Sequence, residues 1–107
     1  MRFDHVAQRV PDIAEAVDFY RRAVPGARVL HQDESWAFLD VDGARLAFVV
    51  ADQHPDHVAF RVEEGELERL AAEHGQEIAT HRDATRSFYL EGPGGHWIEI
   101  ITYPGDG

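Results

Sequence analysis

The chain has 107 residues, 44% hydrophobic and 10% aromatic, which fits one compact domain and excludes a disordered polypeptide. Its 20 acidic and 10 basic residues leave a formal charge of −10, which argues against nucleic acid as a partner, and the lack of cysteine excludes disulfides, thiolate metal sites and a cysteine nucleophile. No apolar run approaches the ~18 residues of a membrane helix, and Met1-Arg2-Phe3-Asp4-His5 lacks the pattern of a secretory leader, so a soluble cytoplasmic protein with no membrane partner is expected.

A first strand spans about 3–10. After Val10-Pro11, Asp12 is placed to cap a helix, with Glu15 completing a capping box. Ile13, Val17, Tyr20 and Val24 recur at helical spacing, and Pro25-Gly26 stops the helix. Strands follow at 27–32, 36–41 and 44–51, the last two joined by the turn Asp40-Val41-Asp42-Gly43. A strand over 57–62 opens a second series. Its helix, about 66–74, carries Leu67, Leu70 and Ala71 on the apolar face and ends at Gly75. Strands at 77–82, 86–91 and 96–103 complete it, with the turn Glu91-Gly92-Pro93-Gly94-Gly95 before the last strand and a frayed tail over 104–107.

The two series are copies of one unit. Residues 4–10 read Asp-His-Val-Ala-Gln-Arg-Val and residues 56–62 read Asp-His-Val-Ala-Phe-Arg-Val, six matches in seven at an offset of 52. The same offset sets 43–50 against 95–102, both apolar strands launched from a glycine turn, and Leu30-His31-Gln32-Asp33 resembles Thr80-His81-Arg82-Asp83 at a slightly shorter offset. The chain therefore divides into module one, about 1–52, and module two, about 53–104. The order strand–helix–three strands, twice, predicts an α+β fold with the helices on one face of the sheets.

Strand alternation then assigns side chains to faces. Val58, Phe60 and Val62 form an apolar face suited to a helix, as do Val6 and Val10, although Gln8 interrupts the latter. His5, Ala7 and Arg9 take the opposite face of the first strand, His57, Ala59 and Arg61 that of the fifth, and Trp97, Glu99, Ile101 and Tyr103 one side of the last. Two imidazoles and a carboxylate are the ligand set of catalytic zinc and non-haem iron sites with open positions. A symmetric site would hold two His–carboxylate pairs, but 99 − 52 gives Ala47, so one arm ends in a methyl group and leaves three protein ligands. Taken one at a time, a strand histidine or a glutamate between isoleucines also fits the wet side of an amphipathic strand; the joint pattern carries the metal reading. Such a set suits Zn, Mn, Fe, Co or Ni.

At these residues the sequence resembles the vicinal oxygen chelate superfamily, which includes glyoxalase I, extradiol dioxygenases, methylmalonyl-CoA epimerase, fosfomycin-resistance thiol transferases and bleomycin-binding proteins. The resemblance runs from about Phe3 to Tyr103. It rests on Asp4-His5-Val6, Asp18-Phe19-Tyr20, His57-Val58-Ala59-Phe60 and the closing stretch from Ser87 to Ile100, where Gly92 stands in place of the usual Asp. It implies paired βαβββ modules whose sheets curl into a cup around a divalent metal, with His5, His57 and Glu99 matching the ligands. Ala47 stands where glyoxalase I and the epimerase place a fourth ligand, which sets the chain apart from both. Extradiol dioxygenases and fosfomycin transferases use a His, His, Glu set; bleomycin-type binders lack it.

Further candidates surround this set. Arg9 and Arg61, repeat mates four residues beyond the histidines, are placed either to hold an anionic substrate group or to pair with acids at the rim. Trp97 and Tyr103 could wall a ligand, Tyr89 could donate a hydrogen bond to a bound oxyanion, and His96, beside the turn, is a candidate for proton transfer. His31, His54, His74 and His81 read as surface or strand-edge residues. The expectation is a small metal-dependent enzyme, a lyase, transferase or dioxygenase, whose divalent ion acts as Lewis acid on a small oxygen-bearing substrate. The alternative is a protein that binds and sequesters a small molecule, as in antibiotic resistance. A homodimer is expected, because a chain this short buries only about two-thirds of its unfolded surface and the resemblance implies dimers.

Overall fold

A computed structural model of the chain describes residues 1–50 and 54–105. Position 51 of the predicted strand 44–51, and Asp106 and Gly107 of the tail, lie outside the described residues. The chain forms two compact units: His5–His57, and Val58–Gly107 together with Met1–Asp4.

The first unit is built from β1 (Arg2–Val10), α1 (Ile13–Ala23), β2 (Arg28–Gln32), β3 (Trp36–Val41) and β4 (Ala44–Val50). Its strands lie in the order β2-β3-β4-β1, with β1 parallel to β4 and the hairpin neighbours antiparallel. Asp12 caps α1 as expected: its carboxylate accepts from the Glu15 amide at 2.8 Å, satisfying a backbone donor that has no partner inside the helix. The apolar stripe of α1 sends Ile13 and Val17 onto Ala37, Leu39 and Phe48, all buried. Gln8 interrupts the apolar face of β1 for a visible reason, since the Tyr20 hydroxyl on α1 donates to its Oε1 at 3.2 Å. Asp42 and Gly43, at φ +52° and +89°, make the two-residue turn between β3 and β4, the conformation that matches the twist of the strands it joins.

The second unit carries β5 (His57–Arg61, with His57 itself in the first unit), α2 (Glu64–Glu73), β6 (Ala79–Thr80), β7 (Arg86–Glu91) and β8 (Trp97–Thr102). The order is β5-β8-β7-β6. Val62, Leu67, Ala71, Phe88 and Ile100 form its core, the counterpart of the first. The helix starts at Glu64, ahead of the expected 66. Glu64 and Glu66 occupy its first turn, where backbone N–H groups favour negative charge, and Glu64 also pairs with Arg86 of β7. The expected strand 77–82 shrinks to Ala79–Thr80, because the chain turns back at His81. There the His81 amide donates to the Thr85 carbonyl at 2.8 Å, Asp83 accepts from the Thr85 amide and hydroxyl, and Ala84 adopts φ +69°. A one-turn 3-10 helix, Pro93–Gly95, occupies the turn before β8.

Asp40 is buried at the end of β3. Its carboxylate accepts from the Gly43 amide (3.1 Å) and from Arg45 Nε (2.8 Å), with Arg28 at 3.7 Å. The Gly43 bond foremost, aided by the Arg45 bond and both guanidinium charges, holds this carboxyl below the usual carboxylate range against the cost of burial.

Two predictions follow from these local devices. Replacing the cap, Asp12→Ala, is expected to destabilise the protein by about 1 kcal/mol in urea unfolding, the usual cost of a lost helix cap. Asp40 titrates lower in the folded than in the unfolded chain, so its stabilisation is present above the ordinary carboxylate range and is lost as pH falls through the folded value. Asp40→Asn should therefore be less stable than the parent at neutral pH, with the gap closing in acid. A gap in urea midpoint that stays constant with pH would assign the effect to packing instead of charge.

Candidate metal centre

In the first unit, register settles what shares a face with His5. Ala7 lies beside Ala47 and Arg9 beside Val49, while Phe38 stands opposite Ala47 and Trp36 opposite Val49. His5, two residues before Ala7, takes the same face, away from α1. Its imidazole is buried, with its ring centroid 5.6 Å from that of His57 and 5.9 Å from that of Phe38. His57 opens β5 and is equally buried. Its Nδ1–H donates to the Pro55 carbonyl at 2.6 Å. A carbonyl can only accept, so Nδ1 carries a proton and Nε2 is the ring nitrogen that could serve a metal. The Arg9 amide donates to the Asp56 carboxylate at 2.7 Å, tying the residues before β5 to β1.

In the second unit, Glu99 lies on β8 directly opposite Tyr89 of β7 and is only 4% exposed. Burial foremost, then the Glu99 charge and a hydrogen bond to that carboxylate, push the Tyr89 hydroxyl far up, so it stays protonated as a donor to Glu99. His81 Nε2 sits 4.0 Å from Glu99 Oε2 and 2.7 Å from Ser87 Oγ. Two positions beyond Ile101, the Tyr103 hydroxyl donates to Asp4 at 2.6 Å and the Arg61 guanidinium lies over the Tyr103 ring at 4.1 Å. Burial first, then the Asp4 bond, raise that hydroxyl as well. Trp97, half-buried, begins β8 opposite Glu91. His96 is exposed in the turn, where its Nδ1–H donates to the Pro93 carbonyl at 2.8 Å. Its ring stands where a Cβ on Gly92 would go, a local reason for glycine at a position where the resemblance leads one to expect Asp.

His5, His57 and Glu99 are all buried, and their potential ligand atoms lie within 4.8 Å of one another. The site residues expected from the sequence thus separate. The three potential ligands come together, with Tyr89 on the carboxylate; Arg61 and Tyr103 pair further along their strands; Arg9 is exposed near the end of β1, and His96 stays in its turn. Sequence reasoning missed His81, read as a surface residue, and the rings of Trp36 and Phe38. The signal for His81 was present, because its repeat alignment with His31 put it in the second module's equivalent of a strand beside the ligand face.

Residues 2–100 match the Glyoxalase/Bleomycin resistance protein/Dioxygenase superfamily. No curated protein is similar enough to match by sequence. Among solved structures, a methylmalonyl-CoA epimerase from Streptomyces coelicolor is 19% identical with a TM-score of 0.71, covering 99% of this chain and 96% of that one. A variant of homoprotocatechuate 2,3-dioxygenase from B. fuscum is 19% identical with a TM-score of 0.72, over 100% of this chain and 36% of that one. An Mn(II)-bound glyoxalase from Novosphingobium aromaticivorans is 20% identical with a TM-score of 0.68, over 94% of this chain and 37% of that one. An epimerase, a dioxygenase and a glyoxalase thus share one fold, so the likeness establishes architecture and leaves activity to the site. On the match of 2–100, the chain belongs to the Glyoxalase/Bleomycin resistance protein/Dioxygenase superfamily.

Proposed function

We propose that this chain is a small metal-dependent enzyme in which His5, His57 and Glu99 hold one divalent ion. The observation that carries the reading is the grouping of two buried imidazoles and a buried carboxylate with potential ligand atoms within 4.8 Å. A divalent cation is a partner that would use the buried carboxylate and the imidazole lone pairs together. The residues present fit such an ion. His57 is fixed as the Nδ1–H tautomer by Pro55, and Tyr89 hydrogen-bonds the Glu99 carboxylate, both being the kind of outer contact that orients a ligand. When bound, a divalent ion supplies Lewis-acid polarisation of substrate oxygens. Ala47, buried on the ligand face opposite Phe38, provides no further donor and keeps that side open for substrate. Tyr89 retains its proton and holds Glu99, while Arg61, braced on Tyr103, is placed to meet an anionic end of a small substrate.

The direct check is elemental analysis and thermal shift. One equivalent of Zn, Mn, Fe, Co or Ni should bind, and a hundredfold excess over Kd should stabilise the fold by about 2.7 kcal/mol. His5→Ala, His57→Ala and Glu99→Gln should each abolish uptake, and Tyr89→Phe should weaken affinity about ten- to a hundredfold. Because the imidazoles must be unprotonated to coordinate, affinity should fall on acidification. A chelator-free protein that takes up none of the five metals rules out the ligand assignment. The missing arm is tested separately. Ala47→Glu should add a fourth donor, raise metal affinity and slow any reaction that needs the open position. A destabilised variant with unchanged or weaker metal binding would show that position 47 does not point at the ion.

A further inference from the structure

The two units present equivalent positions with opposite chemistry. Ala47 and Glu99 are repeat mates, and across the hairpin from them stand Phe38 and Tyr89. One step along the same faces, Trp36 corresponds to Ser87, and in sequence His31 aligns with His81, which follows directly after β6. In the second unit the set is polar: His81 contacts Ser87 and Glu99, and Tyr89 hydrogen-bonds Glu99. In the first unit it is aromatic. Packing does not call for those rings: the core under α1 is made by Ile13, Val17, Ala37, Leu39 and Phe48, and Trp36 and Phe38, on the other face, are only half-buried.

The rings are also held in place. His31 stacks on Trp36 at 4.2 Å and 24°, and its Nε2 donates to Asp33 at 2.9 Å. The same Asp33 accepts from the Ser35 and Trp36 amides and the Ser35 hydroxyl. Phe38 follows at 5.9 Å from Trp36, with the Arg45 guanidinium 5.6 Å from its centroid and Arg45 itself bonded to Asp40. His5 is the next ring, another 5.9 Å on. A half-exposed, braced row of π faces that ends on a potential metal ligand is suited to a flat π-bearing ligand, because it is ordered before the ligand arrives and offset or edge contacts favour aromatic over aliphatic groups.

We infer that Trp36 and Phe38 form the specificity surface of the site and that the substrate carries a planar aromatic group whose attached oxygen donors reach the centre at His5. The inference rests on the metal-enzyme reading above, and its test separates the two. Three hydroxamates with the same two oxygen donors serve as probes: acetohydroxamate, cyclohexanecarbohydroxamate and benzohydroxamate, titrated calorimetrically into protein loaded with zinc or manganese, with metal content measured on each sample. The parent should bind benzohydroxamate about tenfold or more tightly than either aliphatic probe. Trp36→Leu and Phe38→Leu, which keep an apolar side chain and whose folding is checked by circular dichroism, should each erode that preference, lowering benzohydroxamate affinity several-fold more than acetohydroxamate affinity. In a Trp97→Phe background, benzohydroxamate alone should quench indole emission from Trp36. Metal-loaded protein that binds all three probes equally, or variants that keep the aromatic preference, would overturn this inference and leave the metal site standing. Protein that takes up none of Zn, Mn, Fe, Co or Ni would overturn the metal reading and this inference with it.

Discussion

Phe48 and Leu39 are fully buried beneath α1, and Leu67 of α2 is fully buried against Val62, Phe88 and Ile100. A strand's side chains alternate with a period of two, so slipping any of these strands by one residue would move its apolar set out from under the helix. Each Leu or Phe so displaced costs about 1.5–3 kcal/mol. The helix contacts therefore fix register, and register fixes the opposite face. His5, Ala7, Ala47, Phe38 and Trp36 in one unit, and Ser87, Tyr89 and Glu99 in the other, stand where they do because their sequence neighbours are pinned beneath a helix.

That scaffold supports a buried polar cluster on the face away from the helices. Glu99 is only 4% exposed, and a carboxylate taken from water without compensation costs several kcal/mol. The Tyr89 hydroxyl offsets part of this cost and His81 lies at ion-pair distance. Hydrogen bonds of this kind orient a carboxylate without neutralising it. His57 tells the same story from the imidazole side: its Nδ1 is committed to the Pro55 carbonyl, which directs the remaining nitrogen's lone pair to the other side of the ring. Asp56, next in sequence, is held by the Arg9 amide, so the residue before the ligand is anchored to β1. The outer contacts stabilise particular orientations of the carboxylate and the imidazole.

Most of the fold was legible because both of its periodicities were intact. The repeat of Asp-His-Val-Ala and Arg-Val at an offset of 52 exposed the duplication, and Asp12 with Glu15 marked the start of α1 within a residue. The short strand 79–80 was misjudged because its end is set by hydrogen bonds among His81, Asp83 and Thr85, which strand patterning does not register. The early start of α2 depends on the ion pair between Glu64 and Arg86, 22 residues apart. The potential metal ligands were legible by alternation plus repeat symmetry. The aromatic row was not, because Trp36 and Phe38 alternate with Ala37 and Leu39 in a nearly all-apolar strand, and such a run does not reveal which half faces the helix.

The asymmetry between the units explains how one duplicated scaffold can both hold a charge and select a ligand. A carboxylate on each arm would offer a fourth protein donor and occupy one more coordination position. Replacing one with Ala47 removes a negative charge from the face, and with it the need for a protonated donor such as Tyr89 at the facing position. Phe38 occupies that facing position, and Trp36 stands where the other unit places Ser87. Without a charge to hydrogen-bond, the arm is free to be apolar, and on the reading proposed above its half-exposed rings would meet a flat ligand. The methyl group at Ala47, the aromatic ring at Phe38 and the indole at Trp36 are thus consequences of one change. On the function proposed above, the arm without a potential ligand is the arm that would contact the substrate.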